Sequence, residues 1–216
     1  MNEIKVNTAE KELYYQGEVI LKYRIEYPEI VRSIYQEGIR VFNHENRKAA
    51  LELKEFAEGE LYEEAKQTYE YNKQNGYPTM VYELIHECNI TYNRDKLLSL
   101  YCDEYTFTGG AHGSTVRKSQ NWDLELARQI PLQAFSKGNT YFIIDILKQI
   151  NSQIAKQIEE ETGVYFPEYC QLVLETFNLE SFYLTPKGII IFFQQYDIAP
   201  YSSGIPEFLV QTTRVM

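Results

Sequence analysis

The stretch FYLTPKGIIIFF, Phe182 to Phe193, decides the fold class. Pro186 presets the first dihedral of a turn and Gly188 supplies the conformation needed to leave it, so the flanking runs read as the two arms of a hairpin. Both arms are apolar on both faces, where a strand with one wet face would alternate. Such strands must be central or covered by helices. A cover lies upstream, in YFIIDILKQINSQIAKQIEEE from Tyr141 to Glu161. Here Ile143, Leu147, Ile150, Ile154 and Ile158 fall on one stripe of a helix that Gly163 stops.

Farther towards the N-terminus, EVILKYRIEY (Glu18 to Tyr27) alternates as a strand, with Val19, Leu21, Tyr23, Ile25 and Tyr27 on one face and Pro28 as its end. From Glu29 to about Asn75 there is no proline, and Ile30, Ile34 and Val41 or Phe42, then Leu53, Phe56, Tyr62, Ala65 and Tyr69 recur at helical spacing. This predicts a long helix with one break, at Gly38 or Gly59. Its carboxylates, Glu52 to Glu70, read as a solvated face. Asn75, Gly76 and Pro78 then form a turn. Thr79 to Thr91 and Leu97 to Thr108 follow as an antiparallel pair joined through Asn93, Arg94 and Asp95, and Ser114 to Leu124 as a further strand. The expected fold is therefore α+β: mostly antiparallel sheet packed against a long N-terminal helical segment and a second amphipathic helix. No repeat or long linker interrupts it, so residues 1–216 read as one compact unit, with 12–108 and 109–216 as the lobes if it divides.

Composition narrows the partners. A formal charge of −10 repels phosphate backbones, and no stripe of Lys and Arg offsets it, which argues against nucleic acid. The longest basic grouping, Arg117 and Lys118, is too short for an anionic membrane patch. No run approaches the ~20 apolar residues of a membrane span, and the N-terminal residues lack the pattern of a signal peptide. The chain as it stands is thus expected in the cytoplasm, and outside it if an upstream segment has been removed. Nineteen tyrosines fit half-buried strands, with recognition surfaces as their other use. Cys88, Cys102 and Cys170 include no CxxC and no histidine at ligand spacing, so neither a metal site nor a disulfide framework is indicated. One bridge, for instance Cys88 to Cys102, stays open. No nucleotide-binding glycine pattern is present, and no cofactor is expected.

Candidate chemistry gathers in two places. In Gly109, Gly110, Ala111, His112 and Gly113, an imidazole sits between glycines, which let a backbone turn sharply or a ligand approach closely. The structural alternative is a histidine that pins neighbouring strands. Asp197, in QQYDIAPY, is expected to cap local N–H groups. Were it to face His112, it would fix the imidazole tautomer and make an acid–base pair. Tyr196 and Tyr201 could add hydroxyl donors there. Trp122 reads as half-buried in the sheet, with an exposed anchor as the alternative. His44 and His86 have no partner at metal-ligand spacing along the chain.

Two strings carry a family resemblance: EYTFTGGAHG, Glu104 to Gly113, and GIIIFFQQYDIAPYSSGIPEF, Gly188 to Phe208. With the long helix between them, they resemble the domain of unknown function shared by RsiV-type anti-sigma factors and PdaC-type peptidoglycan deacetylases, outside the deacetylase catalytic part. The earlier strand and helix resemble the region that precedes it. The resemblance implies a recognition role, since RsiV-like members sense lysozyme by binding it and the PdaC-like domain accompanies a separate catalytic one. No lysozyme-contacting residue is matched here. The leading expectation is a non-enzymatic binding or sensing module for a protein or cell-wall-related ligand, with Gly109, Gly110, His112, Gly113, Tyr196, Asp197 and Tyr201 shaping its surface. Its rivals are a hydrolase of cell-wall glycan or peptide using His112 and Asp197, and a homo-oligomeric structural protein.

Overall fold

In the computed structural model, residues 1–211 are described. Strands β1 (Glu3–Tyr15) and β2 (Glu18–Arg32) form a long hairpin. Its turn is Gln16–Gly17, both with positive φ, 50° and 85°. That pair of left-handed residues matches the right-handed twist of the flanking strands. β3 (Tyr82–Arg94) lies parallel to β2, with Leu21–Ile25 against Tyr82–His86. β4 (Leu97–Phe107), β5 (Ser114–Asp123) and β6 (Arg128–Gln129) complete a sheet in simple chain order. A second sheet has the order β7 (Phe182–Thr185), β8 (Gly188–Phe192) and β9 (Glu207–Val210), all antiparallel. No described helix is long and apolar enough to cross a membrane.

The chain divides into two compact units: the first holds Met1–Asn89, Cys102–Val116 and Leu124–Ala127, the second Ile90–Tyr101, Arg117–Asp123 and residues 128–211. β3, β4 and β5 each contribute to both. In the first unit, helix α1 (Gln36–Phe56) passes through a single π turn (Ala57–Leu61) into α2 (Tyr62–Asn75). Buried positions recur every fourth residue, at Gly38, Phe42, Asn46 and Ala50 and again at Ala57, Leu61, Ala65 and Tyr69. Gly59 sits in the π turn and is the expected break in a milder form: the helix changes pitch without stopping. Gly38 serves packing instead, since a Cβ there would lie 2.2 Å from the Leu124 carbonyl oxygen. Leu21, Tyr23, Ile25, Tyr82 and Leu84 complete this core.

Several carboxylates on the helix turn towards the sheet. Glu58 accepts from the Tyr23 hydroxyl at 2.8 Å and pairs with Lys11 at 2.9 Å. Burial, then this bond, pushes the Tyr23 phenol up to about 12. Glu70 accepts from the Tyr15 hydroxyl. The helix face is therefore solvated only in part.

The second unit packs α3 (Phe142–Glu159) on the three-stranded sheet, with Phe142, Ile146, Ile150 and Ile154 against Leu184, Ile189, Ile191, Phe208 and Val210. Ile150 and Ile154 are buried as expected, Phe142 and Ile146 lead the stripe at its start with Ile143 and Leu147 partly buried beside them, and Ile158 is 43% exposed. α4 (Tyr169–Thr176) adds Val173 to the same core. Ser99, fully buried, accepts from Leu184 N at 2.8 Å and donates to Asn121 Oδ1 at 2.7 Å, while Asn121 Nδ2 donates to Phe182 O at 2.8 Å. These bonds satisfy backbone that the sheet ladder leaves open.

Three expectations are corrected. Pro28 does not end β2, which runs on to Arg32 opposite β1; β3 pairs only with Leu21–Ile25, so the missing N–H of Pro28 costs no bond to β3. The helix consequently starts at Gln36. Trp122 is fully buried, its Nε1 donating to Gln120 Oε1 at 2.9 Å, and anchors no external partner.

Candidate functional site

The glycine loop of the first unit connects β4 to β5. Gly109 and Gly110 have φ of 103° and 90°, which side chains rarely tolerate. Gly113 is required for a different reason: a Cβ would lie 2.4 Å from the Tyr105 ring and 2.6 Å from Thr106 O. The glycines are thus explained by turning and packing alone. His112 is exposed, with Nδ1 3.0 Å from the Gly113 carbonyl oxygen of its own loop.

In the second unit, the segment after β8 folds around Asp197. Gln194 N donates to Asp197 Oδ2 at 2.7 Å, and Asp197 N donates back to Gln194 O at 3.2 Å. The carboxylate closes a turn, the capping role the sequence suggests. Burial raises its pKa, and the Gln194 N–H opposes the rise. With Asp197 turned inward, Tyr196 is thrown outward: its φ is 68° and it is 54% exposed. The Tyr196 and Tyr201 rings lie 6.0 Å apart. His112 belongs to the first unit, whereas Tyr196, Asp197 and Tyr201 belong to the second.

Residues that no local signal marks anchor this segment. Arg117, on β5, is 9% exposed and lies with its guanidinium 3.7 Å from the centre of the Tyr101 ring. It pairs with Glu207 at the start of β9. Gln194 copies a strand neighbour, accepting from Arg117 N at 2.9 Å and donating to Arg117 O at 2.7 Å. Tyr183 has its phenol pushed up strongly, by burial first and then by the Glu207 carboxylate. An alternating strand hides Arg117 among its neighbours, and Glu207 lies ninety residues away. Only their three-dimensional meeting reveals them.

The outer edge of this arrangement opens into a polar cleft of ≈ 380 Å³, whose lining includes Gln157, Glu161, Tyr165, Ser202, Ser203 and Glu207. One wall is the end of α3 and the turn after it, where Glu161 has a φ of 53°. The other is the segment from Ser202 to Glu207. Ser203 Oγ ties the walls by donating to Val164 O at 2.9 Å, and the Tyr165 hydroxyl bonds Gln157 Oε1. The cleft offers carboxylate and carbonyl acceptors, hydroxyls and an aromatic ring within a volume usual for small-ligand sites. Glu207, one of its lining residues, is held in place by Arg117.

Residues 16–115 match the family described as Deacetylase PdaC, and residues 135–213 match the family described as Protein of unknown function (DUF3298). Over 115 residues the chain is 31% identical to the peptidoglycan-N-acetylmuramic acid deacetylase PdaC of Bacillus subtilis (strain 168). That alignment takes in 53% of this chain and 21% of the deacetylase, so the chain corresponds to about a fifth of that protein's length. Among solved structures, a member of the DUF3298 family from Bacteroides fragilis NCTC 9343 matches with a TM-score of 0.71 at 20% identity, over 97% of this chain and 90% of that one. A DUF3298 family protein from Pseudomonas aeruginosa PAO1 matches with a TM-score of 0.63 at 18% identity, again over 97% and 90%. At these identities the likeness shows a shared fold. The cleft residues lie within the DUF3298-matched stretch.

Proposed function

From a PdaC/DUF3298-type domain of unknown function, we propose a non-catalytic recognition module that binds a cell-wall glycan or peptide through the polar cleft of its second unit. The observation that carries this reading is the cleft itself. Its walls come from the α3 end and the terminal string, and its lining residue Glu207 is fixed by a nearly buried arginine. Preorganised acceptors beside hydroxyls suit a ligand rich in O–H and N–H donors, because little ordering remains to be done on binding. The exposed Tyr196 and the half-buried Tyr201 adjoin the cleft segment and supply flat apolar faces for sugar rings or peptide side chains. The relative's printed activity on peptidoglycan points to the same ligand class. His112 and Asp197 support catalysis less well, since each has a bond within its own loop or turn. The Cys88–Cys102 bridge supports placement in an oxidising compartment outside the cytoplasm.

The test is calorimetric titration with soluble peptidoglycan fragments, run on the wild type, Ser202→Trp and Glu161→Ala. Ser202→Trp fills the cleft and Glu161→Ala removes an exposed acceptor, and both residues are outside the core. Saturable binding lost in Ser202→Trp and weakened in Glu161→Ala, with unchanged melting, is the expected result. Binding that is absent in the wild type, or indifferent to both substitutions, rejects the cleft. Release of acetate from the fragments would restore the hydrolase reading.

A further inference from the structure

The first unit holds a second cluster with distinct chemistry. His86 and Cys88 stand two apart on β3 and therefore share a face, and Cys102 meets them from β4. One ligand atom from each residue lies within 4.8 Å of the other two. His86 Nδ1 is 4.0 Å from Cys88 Sγ, and the Glu26 carbonyl oxygen is 2.7 Å from that nitrogen and 3.7 Å from that sulfur. In the structure the sulfurs of Cys88 and Cys102 are joined. His86 and Cys88 are partly exposed and Cys102 is 7% exposed, so the cluster opens to solvent from one side.

We propose that this cluster is a redox-gated site for a soft divalent cation of the Zn²⁺ type. In the oxidised state it is a staple between β3 and β4. A small dithiol reductant supplies two electrons and two protons: the S–S bond breaks, the reductant closes to its own disulfide, and Cys88 and Cys102 become thiols. Cation binding then releases both thiol protons to solvent, leaving two thiolates and one ring nitrogen of His86 as ligands. Two sulfurs and an imidazole nitrogen are a donor set that selects zinc over hard cations, and three protein ligands leave a fourth position for water. Ligand atoms around a tetrahedral zinc stand roughly 3.5–3.8 Å apart given its bond lengths. His86 Nδ1 stands 4.0 Å from Cys88 Sγ but donates to the Glu26 carbonyl oxygen at 2.7 Å, so coordination by this ring requires the imidazole to give up that bond and turn towards the sulfurs. A search along the sequence for zinc spacing misses the site, because two ligands come from a strand at i, i+2 and the third from the next strand.

The experiment uses the full chain carrying Cys170→Ser, which removes the exposed free cysteine. The protein is reduced without oxygen and titrated with Co²⁺ as a coloured substitute for Zn²⁺. The expected result is a thiolate-to-cobalt charge-transfer band that saturates at one equivalent and is bleached by Zn²⁺. The band should be absent from oxidised protein and from Cys102→Ser, and affinity should fall at least about tenfold in His86→Gln. No band in reduced, folded protein overturns the proposal, and a band with unchanged affinity in His86→Gln overturns the three-ligand site. Should reduction unfold the chain, the circular dichroism of the same titration decides. Recovery with Zn²⁺ that His86→Gln does not share supports the site, and absence of recovery overturns it.

Discussion

The glycine loop at Gly109–Gly113 and the terminal segment at Gln194–Glu207 are the two strings that stand out in the sequence, and they are built in opposite senses. In the loop, the glycines do the packing and the polar residue is left outside: Gly113 presses on the Tyr105 ring while His112 is exposed. In the terminal segment, the carboxylate of Asp197 is turned inward to bond Gln194 N, and the tyrosine beside it faces out. A motif is thus held together by whichever residue its backbone needs most. The residue that looks most reactive can be the structural one, as Asp197 is.

The comparison is broken most sharply at Gly113. Alanine there places a methyl group 2.4 Å from Tyr105 and 2.6 Å from the Thr106 carbonyl. A ring can shift, but the backbone oxygen cannot move without disturbing β4, so a loss of about 1–3 kcal/mol is expected from overpacking. Chemical denaturation of Gly113→Ala measures it, and wild-type stability would mean that packing does not explain this glycine.

Asp197 gives a smaller and more diagnostic effect. Asp197→Ala removes the acceptor for Gln194 N and should cost about 1 kcal/mol, since the lost bond is partly offset by relief of a desolvated charge. Asp197→Asn keeps an acceptor and should match the wild type at neutral pH or exceed it. The sign follows from the raised pKa in the folded state. Between the unfolded and folded values the folded protein holds more protons, so stability rises as pH falls through the folded value and the gain is complete below the unfolded one. The melting temperature of the wild type relative to Asp197→Asn should rise as the pH falls through the acid range, the comparison cancelling the ion-paired carboxylates whose lowered pKa values act in the opposite sense. A pH profile that the substitution leaves unaltered would detach the raised pKa from this turn.

How much of this was legible in sequence follows the range of the interactions. The hairpin at Phe182–Phe193, the pair β3 and β4 and the helix after Tyr141 announce themselves because period and turn chemistry are local. The strand β1 does not, because its run EIKVNTAEKELYY carries charges on both faces of a solvent-facing edge, leaving only Gln16–Gly17 as a signal. Helix α4, of eight residues, is too short to show a period. The stripe of α3 was legible at Ile150 and Ile154, but at its start the apolar run Phe142 to Leu147 offers neighbouring candidates, and Phe142 and Ile146 take the core while Ile143 and Leu147 are partly buried. The supports of the cleft were not legible at all: Arg117 and Glu207 meet only through the packing of separate strands, as do His86 and Cys102.

The smallest expected effect concerns His112, and it bears most directly on the proposed reading. The side chain is exposed and Nδ1 lies 3.0 Å from the neighbouring Gly113 carbonyl oxygen, so His112→Ala should change stability by less than about 0.5 kcal/mol. If the cleft of the second unit is the binding surface, affinity for peptidoglycan fragments should be equally indifferent. Calorimetry on this variant beside Ser202→Trp then separates the two strings by function as the structure separates them by construction. Affinity lost with His112 and retained with Ser202→Trp would move the recognition surface to the glycine loop, where an imidazole on a rigid turn would be the contact.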